Sequence, residues 1–428
     1  MSKQWFWFTG KMILFSYTKK RALLLIAFVC ACANHLLAQQ EFGFKMPDGI
    51  RRVEIPFELH NNLIVIPIKI NKFITLKFIL DTGVETAILT EKLYGDILRL
   101  NYQREITIKG PGIQDSVEAY LATGATFSLP GDVIGQNMNL LVLREDYLKL
   151  SQSIGENVYG IIGYDVFSRF VVDINYDRKI LTLRDAKRYK ARGRRTRIPL
   201  KVQKTKPFIP CEIQDGKDKI RTDIMVDTGA SHVALLDYNQ IDGMQLPSPV
   251  LPTRLGRGVA GEITGVLGRI SKIEIDDQLV LEDPIISIPS EGAYFDVIKR
   301  GSRVGTLGGE LLRRFRVIFD YQHNALYLKK SSKFKDKFQY DMSGMSLNTT
   351  GLALDTLLVI NVLPEQPAAN AGIRIGDVIL SINGSTIENK SLTYFTQLLR
   401  RKEGLKIKCK ILRNDEKINT EFRLRKII

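Results

Sequence analysis

Between residues 51 and 330, short apolar runs alternate with brief polar interruptions. LIVIPIKI (63–70), ITLKFIL (74–80), FVVDINY (170–176) and KILTL (179–183) are rich in Ile, Val, Phe and Tyr, and Asn, Asp, Gly or Lys separates many of them. Runs of this length and composition predict strands. Helical spacing is confined to short pieces such as REDYLKLSQSI, so the region should be mainly β, built as barrels or sandwiches.

The pattern changes past residue 340. In QPAANAGIRIGDVILSING (366–384) small residues open a short helix, Gly372 ends it, Gly376-Asp377 turns the chain, and VILSI reads as a strand closed by Asn383-Gly384. Leu392, Phe395, Leu398 and Leu399 then recur at helical spacing behind Ser391, a suitable N-cap, before two final strands in KIKCKIL and EFRLRKI. The lysine-rich passage SSKFKDKFQYDMSG that precedes this unit suits a linker.

At the other end, Lys19, Lys20 and Arg21 precede ALLLIAFVCACA (22–33), a run too short to span a bilayer but suited to a secretory signal core. Cleavage is expected after Ala38, with Ala33 as the poorer site, and Met12 is an alternative start. A lipoprotein acylated at Cys32 is the alternative reading.

Self-comparison fixes the architecture of the middle region. RRVEIPFEL (51–59) matches RRTRIPLKV (194–202), Asp81-Thr82-Gly83 matches Asp227-Thr228-Gly229, Gly110-Pro111-Gly112 matches Gly256-Arg257-Gly258, and GIIGYDVFSRFVVDINY (160–176) matches GTLGGELLRRFRVIFDY (305–321). The four offsets fall between 143 and 146 residues, in the same order. One unit of roughly 140 residues has been duplicated and fused.

Composition narrows the chemistry. The 428 residues are 44% hydrophobic and 25% charged, ordinary for a globular protein of two or three domains. Loss of residues 1–38 lowers the net charge from +16 to +11, and the basic run RDAKRYKARGRRTR (184–197) reads as a solvated face or linker, not a nucleic-acid groove. Weak attraction to anionic envelope surfaces is the functional reading of that charge. Only Cys211 and Cys409 remain after cleavage, with His60, His232 and His323. No disulfide framework, cofactor motif or metal-ligand spacing follows from them.

The repeated Asp-Thr-Gly is the chemical signal. If the two units pack as pseudo-symmetric halves, Asp81 and Asp227 meet at the axis. Two carboxyls that close share a proton, and the pair can polarise a water and protonate a leaving amine. With these residues, and with the apolar-apolar-Gly signatures Ile161-Ile162-Gly163 and Thr306-Leu307-Gly308 downstream, the chain resembles the aspartic proteases over about residues 51–330. The implied fold is mainly β, two fused retropepsin-like β-barrel lobes in a pepsin-like bilobal arrangement.

The resemblance implies that Asp81 and Asp227 hold the attacking water, that Thr82 and Thr228 hydrogen-bond across the axis, and that Gly83 and Gly229 present N–H groups to the carboxylates. It places a substrate-covering flap at Gly110 and Gly112 and another at Gly256 and Gly258, both lying 29 or 31 residues past the Asp. Val84 departs from the Ala, Ser or Thr usual after Asp-Thr-Gly, Glu85 adds an acid beside it, and Arg257 interrupts the second flap.

Residues 340–428, above all Ala368–Gly384, look like a small α+β PDZ domain of the bacterial protease-associated kind. Such domains add a peptide as an extra strand beside a helix, and Gly344, Met345, Ser346 and Leu347 are the implied carboxylate-holding loop. A PDZ domain that only packs on the lobes is the other possibility. The trypsin-like class that PDZ domains often accompany is excluded, because no serine or histidine has the required context.

The expected organisation is a signal peptide (1–38), lobes at 39–190 and 191–332, a linker (333–343) and the PDZ domain (344–428). The expected function is a secreted or periplasmic aspartic endopeptidase, monomeric, acting on peptide or protein substrates, with a C-terminal peptide as PDZ partner and no nucleic acid. The alternatives are a catalytically silent peptide-binding envelope protein of the same fold, and a scaffold whose PDZ domain carries the function.

Overall fold

FVVDIN and FRVIFD, equivalent segments of the repeat, are almost wholly apolar, and the fold buries both at its centre. The computed structural model describes residues 42–428 apart from 111, 113–115, 242 and 291–303, so the expected signal peptide lies outside the described residues. Strands Phe170–Asn175 and Phe315–Asp320 pair antiparallel in the middle of a six-stranded sheet. Ile180–Asp185 and Arg52–Pro56 extend it on one side, and Ala325–Lys330 and Thr196–Pro199 on the other.

The register reveals the symmetry. Val172 faces Phe319 and Ile174 faces Val317, so the equivalent positions Asp173 and Ile318 face each other and the pseudo-twofold axis passes between them. Asp173 is buried, and its carboxylate is held by Arg316 through two bonds of 2.7 Å and by Arg184 at 3.2 Å. Phe167 of the first repeat packs on Phe319 and stacks on Tyr321 of the second, which ties the halves into one apolar core.

Among the described residues each repeat also builds its own sheet, of nine strands in the first and ten in the second. In both, a strand that leads into Asp-Thr-Gly (Ile74–Leu80 or Asp218–Val226) pairs in parallel with the short strand of the apolar-apolar-Gly signature (Gly160–Ile162 or Gly305–Leu307). Each repeat also projects a long hairpin. Asn101–Ile108 pairs with Val117–Leu129 in the first, and Val250–Gly258 pairs with Gly261–Arg269 in the second.

The C-terminal unit is a five-stranded antiparallel sheet in the order Met345–Thr350, Thr356–Val362, Val378–Ile382, Lys406–Arg413, Glu416–Arg423, with a helix at Leu392–Leu398 and a core of its own around Phe395. The architecture is thus the expected fold class: mainly β, with a small α+β unit at the end.

The stretch 333–343, read from its lysines as a linker, is firmly packed. Arg314, fully buried, stacks on the Phe338 ring at 3.6 Å and donates to the carbonyls of Lys333, Asp336 and Lys337. Phe338 thereby joins the core of the repeats while Met342 joins that of the C-terminal unit.

Candidate active site

The two Asp-Thr-Gly loops interlock. Thr82 N donates to Thr228 Oγ1 and Thr228 N donates to Thr82 Oγ1, both at 3.1 Å. Each hydroxyl then donates to a carbonyl of the opposite strand, Thr82 to Val226 O at 2.7 Å and Thr228 to Leu80 O at 2.8 Å. Both threonines are buried, and the N–H and hydroxyl of each find their partners in the other half.

This lattice holds the carboxyls. Gly83 N donates to Asp81 Oδ1 at 2.5 Å, and Gly229 N donates to Asp227 Oδ1 at 2.9 Å. The second strand of each loop pair closes from behind: Asp81 N donates to Ile162 O and Asp227 N to Leu307 O, both at 2.8 Å. Gly163 and Gly308 must be glycine for a steric reason. A Cβ on Gly163 would lie 1.9 Å from Asp81 O, and one on Gly308 would lie 2.4 Å from His232 O.

Asp81 retains a little exposed surface but is surrounded by protein on most sides. Burial, reinforced by the charge of Asp227 and a side-chain hydrogen bond to it, holds the Asp81 carboxyl well above the ordinary carboxylate range, against the Gly83 N–H and the more distant charge of Lys206. The two acids therefore form a coupled pair that favours one retained proton.

The two hairpins meet tip to tip. A Cβ on Gly110 would lie 3.0 Å from Val259 Cβ, and one on Gly112 would lie 2.0 Å from the Ala260 carbonyl carbon. Gly256 and Gly258, nominated from the sequence as the second flap, lie in the strand Val250–Gly258 of this hairpin, whose turn is Val259-Ala260 with Gly258 opposite Gly261. Arg257 does not interrupt the hairpin: it donates to Tyr147 O at 3.0 Å and reaches Glu262 at 3.5 Å.

The departures noted in the first loop resolve differently. Val84 packs against a second apolar cluster that contains Val65, Ile79, Leu148, Ile154 and Ile161, and the hairpin tip residue Val259 packs on the same cluster. Glu85 is exposed. His232, which the sequence offered only as one of three remaining histidines, is half-buried beside the second loop with Nε2 2.9 Å from Thr306 Oγ1, and the surrounding protein pushes its pKa down to about 4.

Of the loop nominated in the C-terminal unit, Gly344 N donates to Asp341 Oδ1 at 2.7 Å and Met345 N donates to Ser343 Oγ at 3.1 Å. These two N–H groups are therefore taken by the unit itself, while Met345, Ser346 and Leu347 open the strand Met345–Thr350, which pairs with Thr356–Val362. Among the described residues, Glu58, His60 and Glu156 approach one another closely enough to suggest a cation, but Lys77 Nζ already supplies one, at 2.9 Å from Glu58 and 3.1 Å from Glu156.

Comparison with known proteins agrees with these two kinds of unit. Residues 66–166 and 209–310 match the aspartyl protease family, once in each repeat, together just under half of the chain. Residues 336–424 match the PDZ domain. The chain is also 26% identical over 104 residues to the carboxy-terminal processing protease CtpB of Bacillus subtilis (strain 168), a match that covers 24% of this chain and 22% of that protein. The chain thus carries an aspartyl protease-like region in two segments and a C-terminal PDZ domain.

Proposed function

We propose that the chain is an aspartic-type endopeptidase whose reacting groups are Asp81 and Asp227. The observation that carries this reading is the cross-bonded pair of Asp-Thr-Gly loops, which brings the two carboxyls together, beside two hairpins whose tips meet. The pair holds one proton between its two carboxyls; written with that proton on Asp81, Asp227 is the initial base. Asp227 takes a proton from water as the water oxygen bonds to the peptide carbonyl carbon, and Asp81 gives its proton to the carbonyl oxygen. Collapse of the resulting diol breaks the C–N bond: the amine leaves with the proton from Asp227, and the diol returns one to Asp81.

The crossed threonine bonds supply preorganisation, because the carboxyls cannot separate without breaking four buried hydrogen bonds. The hairpins cover the substrate and exclude water around it. The basic and apolar N-terminal segment supports export, which would place the reaction outside the cytoplasm, and the PDZ domain supports a peptide or protein partner.

The test is incubation of the purified protein with a diverse peptide mixture across pH, beside Asp81→Asn and Asp227→Asn. Cleavage that disappears in both variants is expected. Cleavage unchanged by either substitution would overturn the dyad, and no cleavage by the unaltered protein at any pH would favour a peptide-binding protein of the same fold.

A further inference from the structure

In the PDZ domain, the strand Met345–Thr350 lies at an edge of its sheet and pairs on one side only, with Thr356–Val362. Its face toward the repeats is not open. The helix Leu150–Ile154 of the first repeat packs against it, and Thr349 Oγ1 donates to Gln152 O at 3.1 Å. The helix ends at Gly155, in the left-handed conformation at φ 72°, where a Cβ would lie 2.5 Å from Leu392 Cβ at the start of the helix Leu392–Leu398. One segment, 150–155, therefore touches both the strand and the helix between which a peptide would be added.

The same segment is tied to the catalytic region on both sides. Upstream, Tyr147 O accepts from Arg257 of the second hairpin at 3.0 Å. Downstream, Ser151 Oγ donates to Val158 O at 3.0 Å and accepts from Val158 N at 3.1 Å, which closes the loop just before Gly160–Ile162, the strand that receives Asp81 N. Leu148, Ile154, Val158 and Ile161 share the apolar cluster on which Val84 and Val259 rest. A closely packed cluster of this kind transmits displacement because it cannot be deformed without opening a void.

We infer that the peptide-adding edge of the PDZ domain is an internal docking surface for the 150–155 segment, and that through this contact the PDZ domain sets the position of the Val250–Arg269 hairpin relative to the first Asp-Thr-Gly loop. A peptide that adds along Met345–Thr350 and the helix Leu150–Ile154 exclude each other. The inference uses the proposed proteolytic reading only to give the hairpin its role; the contact is tested without any cleavage.

Hydrogen exchange of the intact protein, read by mass spectrometry, supplies the test with Thr349→Val, Gly155→Asn and Arg257→Met. Asn tolerates the left-handed conformation better than other side chains, so the effect of Gly155→Asn reports chiefly the collision with Leu392. Thr349→Val is expected to speed exchange in 147–158 and 345–350 by roughly five-fold, the ratio for one lost hydrogen bond, and to speed exchange in 250–269 as well. Gly155→Asn should do the same more strongly. Coupling is reciprocal, so Arg257→Met should raise exchange in 150–155 and 345–350. Faster exchange in 150–155 with 250–269 unchanged would overturn the coupling. Unchanged exchange in 345–350 with all three variants would overturn the docking surface itself. Thr349→Val keeps the shape of the side chain, removes one bond between the units and serves where Gly155→Asn fails to fold.

Discussion

Gly229 of the second loop sits directly against the carboxyl of Asp81 in the first: a Cβ on Gly229 would lie 2.1 Å from Asp81 Cγ. The reverse contact is looser, since a Cβ on Gly83 would meet Asp81 Oδ1 at 2.9 Å and Asp227 Oδ1 at 3.5 Å. Two glycines at equivalent positions are thus not equally replaceable. Gly229→Ala should displace Asp81 and lower kcat at least 100-fold, the order expected for a misplacement of about 1 Å, whereas Gly83→Ala should cost less. Equal losses in parallel kinetic assays would contradict the asymmetry.

The crossed threonines predict a stability effect separable from catalysis. Thr82→Val keeps the shape but strands Val226 O and the N–H of Thr228 in a buried place. Each unsatisfied group costs about 1–3 kcal/mol, so a loss of roughly 2–5 kcal/mol is expected on denaturant unfolding. Thr228→Val should match it, through Leu80 O and the N–H of Thr82.

The dyad should weaken the fold at neutral pH. Asp81 has a folded pKa above its unfolded value of 3.8, so the stability it contributes is present below that value and lost as pH rises through the folded pKa. Asp81→Asn, which cannot ionise, should therefore melt at a higher temperature than the unaltered protein at pH 7, and the difference should vanish below about pH 4. Thermal unfolding at the two pH values decides it; an Asn variant less stable at pH 7 would count against the raised pKa.

His232 acts in the opposite direction. Its folded pKa of about 4 lies below the ordinary 6.5, so its contribution is complete above pH 6.5 and lost as pH falls through the window from 6.5 to about 4. The full effect is on the order of 3 kcal/mol. His232→Gln, which stays neutral, should flatten the loss of stability between pH 7 and pH 4 by about that amount, as measured by urea unfolding at both.

Arg314 predicts where the connection to the PDZ domain is strongest. Arg314→Met would remove donors from the carbonyls of Lys333, Asp336 and Lys337 and leave Glu310 to Arg313 alone. A cost of about 3–5 kcal/mol is expected on denaturant unfolding, as for the loss of one partner in a buried charged network. Lys333→Ala, at an exposed side chain, should change little.

Much of this was legible in the sequence because duplication repeats its own constraints. Asp81 and Asp227, Ile162 and Leu307, and the strands 170–175 and 315–320 all carry the same pattern at nearly the same offset, and the pseudo-twofold pairing at Asp173 and Ile318 follows from it. Contacts between non-equivalent parts leave no such signature. The five-residue helix Leu150–Ile154 is too short for a periodic signal, and nothing in it announces a partner at 345–350. The lysines of 333–343 are exposed, as their charge requires, but Phe334, Phe338 and Tyr340 between them are the anchors that make the passage fixed. Val84 was legible only as an oddity until Val65, Ile79 and Ile161 supplied its apolar surroundings.

The facing of Asp173 against Ile318 has a consequence for the history of the molecule. In a dimer built from two copies of the first half, the residue on the axis would meet itself, and two buried aspartates would confront each other without Arg316 to neutralise them. Fusion removed the demand that an axial residue be compatible with its own image. Once the first half held an acid there, it could no longer meet its own copy at that position without cost, and its axial carboxylate came to depend on Arg316 of the other half.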